Sequence, residues 1–172
     1  DPKAGFSGTG VLVAQPNLGV NVGNDFVGAS PRLDYVGDFG AAGTHIVRIR
    51  GLGANGKDDS VHVGLNGQAV NSADDLHLVI SPDYEWSAVN RTITIPNPGV
   101  HVINVWMRED GTQFDKMLLS TVTSFAPIGA GPAESGQNNL NPIANNDSFT
   151  VSQADGTTEF DVLADQGNGP DS

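Results

Sequence analysis

Ser60-Val61-His62-Val63-Gly64-Leu65-Asn66-Gly67 is the stretch whose reading decides the fold. Val61, Val63 and Leu65 recur at every second position, which puts them on one face of a strand, and Asn66-Gly67 behind them is the dipeptide of a tight hairpin turn. The same period of two continues outward. Upstream, Thr44 to Arg50 sets His45, Val47 and Ile49 against Ile46, Arg48 and Arg50, and Arg32 to Phe39 carries Leu33 and Tyr35 on one face. Val11 to Val13 is a shorter run between Gly10 and Pro16-Asn17. Downstream, Leu76 to Ile80, Arg91 to Ile95, Gly99 to Met107 and Lys116 to Val122 complete the series. Gly, Pro, Asn and Asp clusters at 51–59, 71–75, 81–85, 96–99 and 109–111 separate the strands, and no window of a dozen residues holds a helical period. Short strands at this spacing predict an all-β sandwich or barrel.

After Phe125 the texture changes. Residues 126–146 are mostly small and polar and read as an interdomain linker. Alternation returns at Asp147 to Val151 and Thr157 to Leu163 around Ala154-Asp155-Gly156, the pattern of one hairpin. A lone hairpin is marginally stable in water. This one is therefore expected to be disordered, docked on another surface, or the start of a further domain. The organisation expected is a sandwich over 1–125, a linker over 126–146 and a hairpin stub over 147–172.

The chain of 172 residues holds 20 acidic and 8 basic residues, a net charge of −12, with 22 Gly, 10 Pro and no Cys. That charge opposes a sequence-independent grip on nucleic acid or anionic lipid, since both need Lys and Arg on phosphates. Without Cys there is no disulfide scaffold, thiol nucleophile or Cys-ligated metal. No apolar run approaches the roughly 18 residues of a membrane helix, so membrane insertion is not expected. Low charge content with many Gly, Asn, Asp and Thr matches secreted bacterial surface modules, so an extracellular or cell-surface location is expected. The charge is uneven: residues 1–127 hold 13 acidic and 8 basic residues, whereas 128–172 hold 7 acidic and none basic.

Three constellations could carry chemistry. Asp58-Asp59-Ser60 follows a Gly- and Asn-rich loop, and its oxygens suit a hard cation such as calcium, although the spacing is not that of an EF-hand. The competing reading is a solvated turn that caps its own backbone. Tyr84 and Trp86 flank Glu85 in an expected loop, where rings could stack on sugar faces while nearby carboxylates accept hydroxyl hydrogens; a Trp86 that plugs the end of the sandwich is the alternative. Arg108, in Trp106-Met107-Arg108-Glu109-Asp110-Gly111, could line a polar pocket or pair with Glu109 or Asp110 at the surface, and Trp106 reads as core. His45, His62, His77 and His101 lie on expected strands without a metal-ligand spacing, and no nucleophile elbow or phosphate loop is present. No catalytic residue is expected.

Ser30-Pro31-Arg32-Leu33-Asp34-Tyr35, then Ala42-Gly43-Thr44-His45 with Val47, Arg48, Arg50 and Gly51, then Asp58 through Gly67, resembles a jelly-roll carbohydrate-binding module of secreted bacterial proteins. Gly99 through Gly111 and Asp115-Lys116-Met117-Leu118-Leu119 look like its closing strands. The resemblance covers about residues 6–122. It implies a jelly-roll β-sandwich and a non-catalytic glycan-binding module of a large secreted or surface protein, not an enzyme. Tyr84, Trp86, Asp59 and Arg108 are the expected glycan contacts. Asp58, Asp59 and Asp115 are the expected ligands of a structural calcium.

Modules of the resembled kind open with an acidic, calcium-ligating strand upstream of the segment that Gly5 to Gly10 resembles; that strand is missing here, so an unpaired sheet edge is expected. A structural adhesion or filament module that self-associates by strand addition at that edge is therefore the alternative function. Asn141 to Phe149 with Phe160-Asp161-Val162-Leu163 is similar to the opening of cadherin-like or immunoglobulin-like bacterial modules, so both ends read as cut from a larger protein.

Overall fold

The computed structural model describes residues 2–88, 90–135, 148–153 and 156–161. Ten strands, one short α-helix and a 3-10 turn at Asn71–Ala73 belong to a compact unit spanning Asp1–Pro132. The elements in chain order are β1 (Leu12–Val13), α1 (Phe26–Ala29), β2 (Arg32–Phe39), β3 (Gly43–Leu52), β4 (Ser60–Leu65), β5 (Gln68–Ala69), β6 (Leu76–His77), β7 (Glu85–Trp86), β8 (Arg91–Ile95), β9 (Gly99–Met107) and β10 (Gln113–Ser120). A second unit, Ala133–Ser172, holds β11 (Ser148–Gln153) paired antiparallel with β12 (Gly156–Asp161), the hairpin expected from the alternation. The remainder of the expected linker from residue 136 and of the stub from residue 162 lies outside the described residues.

The first unit is an all-β jelly-roll sandwich of two antiparallel five-stranded sheets. One runs β1-β10-β3, with β7 and β8 both paired along the far side of β3; the other runs β2-β9-β4, with β5 and β6 beyond β4. Period-two alternation explains the core. Val47 and Ile49 of β3, Val61 and Val63 of β4, and Ile93 and Ile95 of β8 turn inward and are buried in one cluster with Ile103, Val105 and Phe114. Arg48 and Arg50, one register position away, stand on the opposite face of β3. At the tip of β4, Asn66 and Gly67 adopt φ of 51° and 78°, as a type I′ hairpin requires, and β5 follows directly.

Several boundaries differ from expectation, three of them for identifiable reasons. The strand expected over Leu76 to Ile80 ends at His77, because Leu78 N donates to Asp59 O (2.6 Å) and Ile80 bridges Gly53 instead. The last strand of the sandwich starts earlier than Lys116, at Gln113, where β1 pairs with it. The compact unit also continues past Phe125 to Pro132, since part of the expected linker packs on the sheet. Gly129 O accepts from both Arg50 Nε (3.0 Å) and Trp86 Nε1 (3.1 Å), and Gly131, at φ 76°, rests on the Trp86 ring. Residues 128–131 are a strap over the outer face of the β3 sheet.

Candidate functional site

At the end of the sandwich where β4 begins and β9 finishes, three separate segments converge. Asp59 and Ser60 lead into β4, Asp75 precedes β6 and His77 ends it, and Arg108 and Glu109 follow β9. Their side chains close a ring. His77 Nδ1 meets Asp59 Oδ2 at 3.3 Å, and His77 Nε2 meets Asp75 Oδ1 at 3.0 Å. Arg108 Nε lies 3.0 Å from the same Asp75 oxygen, and Arg108 Nη1 donates to Glu109 Oε1 at 3.0 Å. Glu109 Oε2 accepts from Asp59 N (3.1 Å) and Ser60 Oγ (2.6 Å), while Ser60 Oγ itself accepts from Arg108 Nη1 (2.7 Å).

The two buried carboxyl groups of the ring are pushed apart in acidity. Burial raises the pKa of Asp59, and its contact with Glu109 raises it further, against the lowering effect of His77. Burial also pushes Glu109 up, but hydrogen bonds from Ser60 and Asp59 and the Arg108 charge outweigh it and hold Glu109 below the ordinary glutamate value. Of the two, Asp59 is thus the weaker acid and Glu109 the stronger.

Beside the ring lies the segment from Asn17 to Val22. Asn21 Nδ2 donates to Glu109 Oε1 (2.9 Å) and Val22 N to Arg108 O (2.8 Å). Asp110 accepts Leu18 N at 2.6 Å and Val20 N at 2.7 Å. Asp58 Oδ2 takes Asn55 Nδ2 (2.7 Å) and Asn17 Nδ2 (3.2 Å). His62, under the same end, is stacked on Phe26 and bonded to Val22 O (2.7 Å) and Asp74, which makes it structural.

Of the residues expected to contact glycan, Asp59 and Arg108 are brought together here. Tyr84 and Trp86 are not. Trp86 lies in β7, registered opposite Arg50, and is 9% exposed beneath the strap; Tyr84 is 5% exposed. The Tyr84 hydroxyl donates to Gln113 Oε1 (2.5 Å), and Arg50 sits 5.6 Å above its ring. Burial of its ring, then the nearby Asp115 charge, raises the Tyr84 pKa. Instead of lining an open loop, Trp86 anchors the 128–131 strap and Tyr84 the N-terminal segment, with its hydroxyl 3.1 Å from Lys3 O and its ring edge-on to Phe6.

The carboxylates expected to share calcium do not converge. Asp115 is buried in an ion pair with Arg50 and accepts Ser7 N (2.8 Å), whereas Asp58 is held by Asn17 and Asn55. Among the described residues no group of three or more His, Asp or Glu side chains is arranged to hold a metal ion. Trp106 is fully buried, as expected, and the Arg108–Glu109 pairing is present, but with Glu109 buried and not at the surface. Sequence reasoning missed Asp75 as the partner of Arg108, His77 as the link between Asp75 and Asp59, and Asp110 as an anchor. The one available signal for Asp75 was its place at the end of an Asn/Asp turn, where it adopts φ 53°.

No family model matches the chain. It is 31% identical over 127 residues to Uncharacterized protein P23 of Formosa agariphila, a match covering 66% of this chain and 30% of the relative. The chain thus spans less than a third of that curated relative. Among solved structures, it is similar to a family 35 carbohydrate-binding module from Clostridium thermocellum, with a TM-score of 0.49 and 11% identity over 71% of this chain and 85% of the other. A second family 35 carbohydrate-binding module, from an environmental isolate, gives 0.47 and 18% over 68% and 77%. Among the described residues, no helix is long and apolar enough to cross a membrane.

Proposed function

We propose that the sandwich is a non-catalytic glycan-binding module of a secreted or cell-surface bacterial protein, and that it binds at the end carrying the Asp59-His77-Asp75-Arg108-Glu109 ring. The observation that carries this reading is the ring itself. It concentrates donors and acceptors fixed by mutual bonds, with the Asp75 and His77 side chains about two-fifths exposed at 41% and 40%. Vicinal sugar hydroxyls each donate and accept, so a rigid mixed array of this kind suits them. Asp59 and Glu109 are both buried, and Glu109 is committed to the Asp59 amide, Ser60 and Arg108, which supports binding without turnover.

Affinity electrophoresis through gels containing β-mannan, xylan, laminarin, pectin or carrageenan tests the reading. Retention in at least one gel is expected, weakened in Asp75→Asn and His77→Ala proteins that keep the wild-type melting temperature. Absence of retention in every gel, or retention indifferent to both substitutions, would refute it.

One observation favours a second reading, an adhesion module that assembles by strand addition. β1 covers only Phe114 and Gln113, so among the described residues the outer edge of β10 from Lys116 to Ser120 has no strand partner. A second copy's edge strand would be the occupant, and a concentration-independent monomer mass in light scattering would dismiss it.

A further inference from the structure

We infer that Leu18 and Val20 form the apolar platform of the glycan site and that Asp110 is the residue that positions it. The inference rests on the glycan-binding reading above and adds the part of the ligand it leaves unaddressed. A pyranose presents C–H faces as well as hydroxyls, and those faces need an apolar surface. Tyr84 and Trp86 are buried beneath the straps. On the segment bonded to Arg108, Glu109 and Asp110, however, Leu18 is 78% and Val20 45% exposed.

Single exposed aliphatic residues are ordinary. Here two stand on one segment whose backbone is held from below. The Asp110 carboxylate, on a residue only 2% exposed, receives Leu18 N and Val20 N on its two oxygens, and Asp110 N donates to Val20 O at 3.1 Å. Gly19 between them adopts φ 80°, a conformation open to glycine that lets both flanking amides reach the same carboxylate. Charge-assisted bonds of this kind are stronger than neutral ones. Asn21 and Val22 then tie the same segment to Glu109 and Arg108. The platform is thus continuous with the polar ring through three consecutive residues, Arg108, Glu109 and Asp110. A surface ordered before the ligand arrives loses less freedom on binding. The fitting occupant is the C–H face of a pyranose whose hydroxyls engage the ring. An aliphatic platform lacks the π-face of an aromatic one, so it favours sugars by apolar area and not by stacking.

The test uses the full chain and whichever of the five polysaccharides retains it. Leu18→Ser and Val20→Ser alter exposed side chains, so their melting temperatures should match the wild type while affinity falls up to about tenfold for Leu18. Leu18→Phe, which preserves apolar area, should restore binding. Amide exchange by NMR should find Leu18 and Val20 protected in the wild type, and Asp110→Asn should lose both that protection and affinity. Unchanged retention of Leu18→Ser and Val20→Ser, with retention still weakened by Asp75→Asn, would overturn the platform while leaving the glycan reading intact. No retention of the wild type by any gel would remove both. Rapid exchange of both amides in the wild type would overturn the role of Asp110. A concentration-dependent mass that disappears in Leu18→Ser would reassign the patch to a protein contact.

Discussion

Replacing Gly131 with alanine tests whether the strap over Trp86 is part of the folded unit. A Cβ built at Gly131 stands 3.2 Å from Trp86 Cε2 and 3.4 Å from Cη2, and closer still to Cζ2. Ordinary carbon contacts lie near 3.5–4.0 Å, so either the indole or the strap must move. Overpacking of this kind costs about 1–3 kcal/mol, and the φ of 76° adds about 1–2 kcal/mol for a residue with a side chain. Lifting the strap avoids both but surrenders the Arg50 and Trp86 bonds to Gly129 O, about 1.5–3 kcal/mol for the charged donor and about 1 kcal/mol for the neutral one. Both routes lead to a loss of about 2–4 kcal/mol. At roughly 3–5 °C per kcal/mol for a unit of this size, Gly131→Ala should melt about 6–20 °C below wild type. The assay is thermal denaturation followed by circular dichroism together with tryptophan emission, which should shift to the red if the strap lifts. Gly8→Ala is the control. Gly8 has a φ of 69° with nothing within 4 Å, so it carries the backbone term alone. A Gly131→Ala protein that melts no lower than Gly8→Ala, with unchanged emission, would refute the strap.

The ion pair of Arg50 with Asp115 has side chains only 9% and 0% exposed, so Asp115→Ala should leave the guanidinium uncompensated and lower urea stability by about 3–5 kcal/mol. Arg50→Met with Asp115→Leu should recover much of that loss; equal losses in single and double variants would argue against the pairing. Asn66→Ala should cost about 1–2 kcal/mol in the same melts, because it removes both a residue tolerant of φ 51° and the acceptor of Val102 N (2.9 Å); a change under a few tenths would contradict the turn assignment. The Asp59–Glu109 pair makes stability depend on pH with opposite signs. The raised pKa of Asp59 contributes stability that is full below the ordinary aspartate value and is lost as pH rises through the raised one. The lowered pKa of Glu109 contributes stability that is present above the ordinary glutamate value and is lost as pH falls. Asp59→Asn removes the first, so it should gain on wild type as pH rises above the ordinary aspartate value. A stability difference that stays constant as pH rises would rule out the raised Asp59 pKa.

The alternation of Val61, Val63 and Leu65 and the Asn66-Gly67 turn were enough to determine a half-buried strand and its hairpin, because both depend on residues adjacent in the chain. For the same reason β2, β4, β8 and β9 begin and end where the periodicity placed them. Trp106 was legible as core from its strand position. Trp86 was left open between a loop ring and a buried plug, and Tyr84 was not legible as buried. What covers them comes from residues 3–7 and 128–131, and local pattern carries no information about segments that distant. The ring was only half visible for a related reason. Asp59 and Arg108 stood out as a turn carboxylate and a strand-end cation, but which charges would meet depended on antiparallel pairing of β4 with both β9 and β6. That pairing joins Asp59, Asp75, His77 and Arg108 from segments that are unrelated in sequence, and the burial it imposes raises the Asp59 pKa. By itself, then, the sequence determined strand positions, faces and turns. The tertiary structure decided which polar groups are buried together, because desolvation and hydrogen bonding act across sheets and not along the chain.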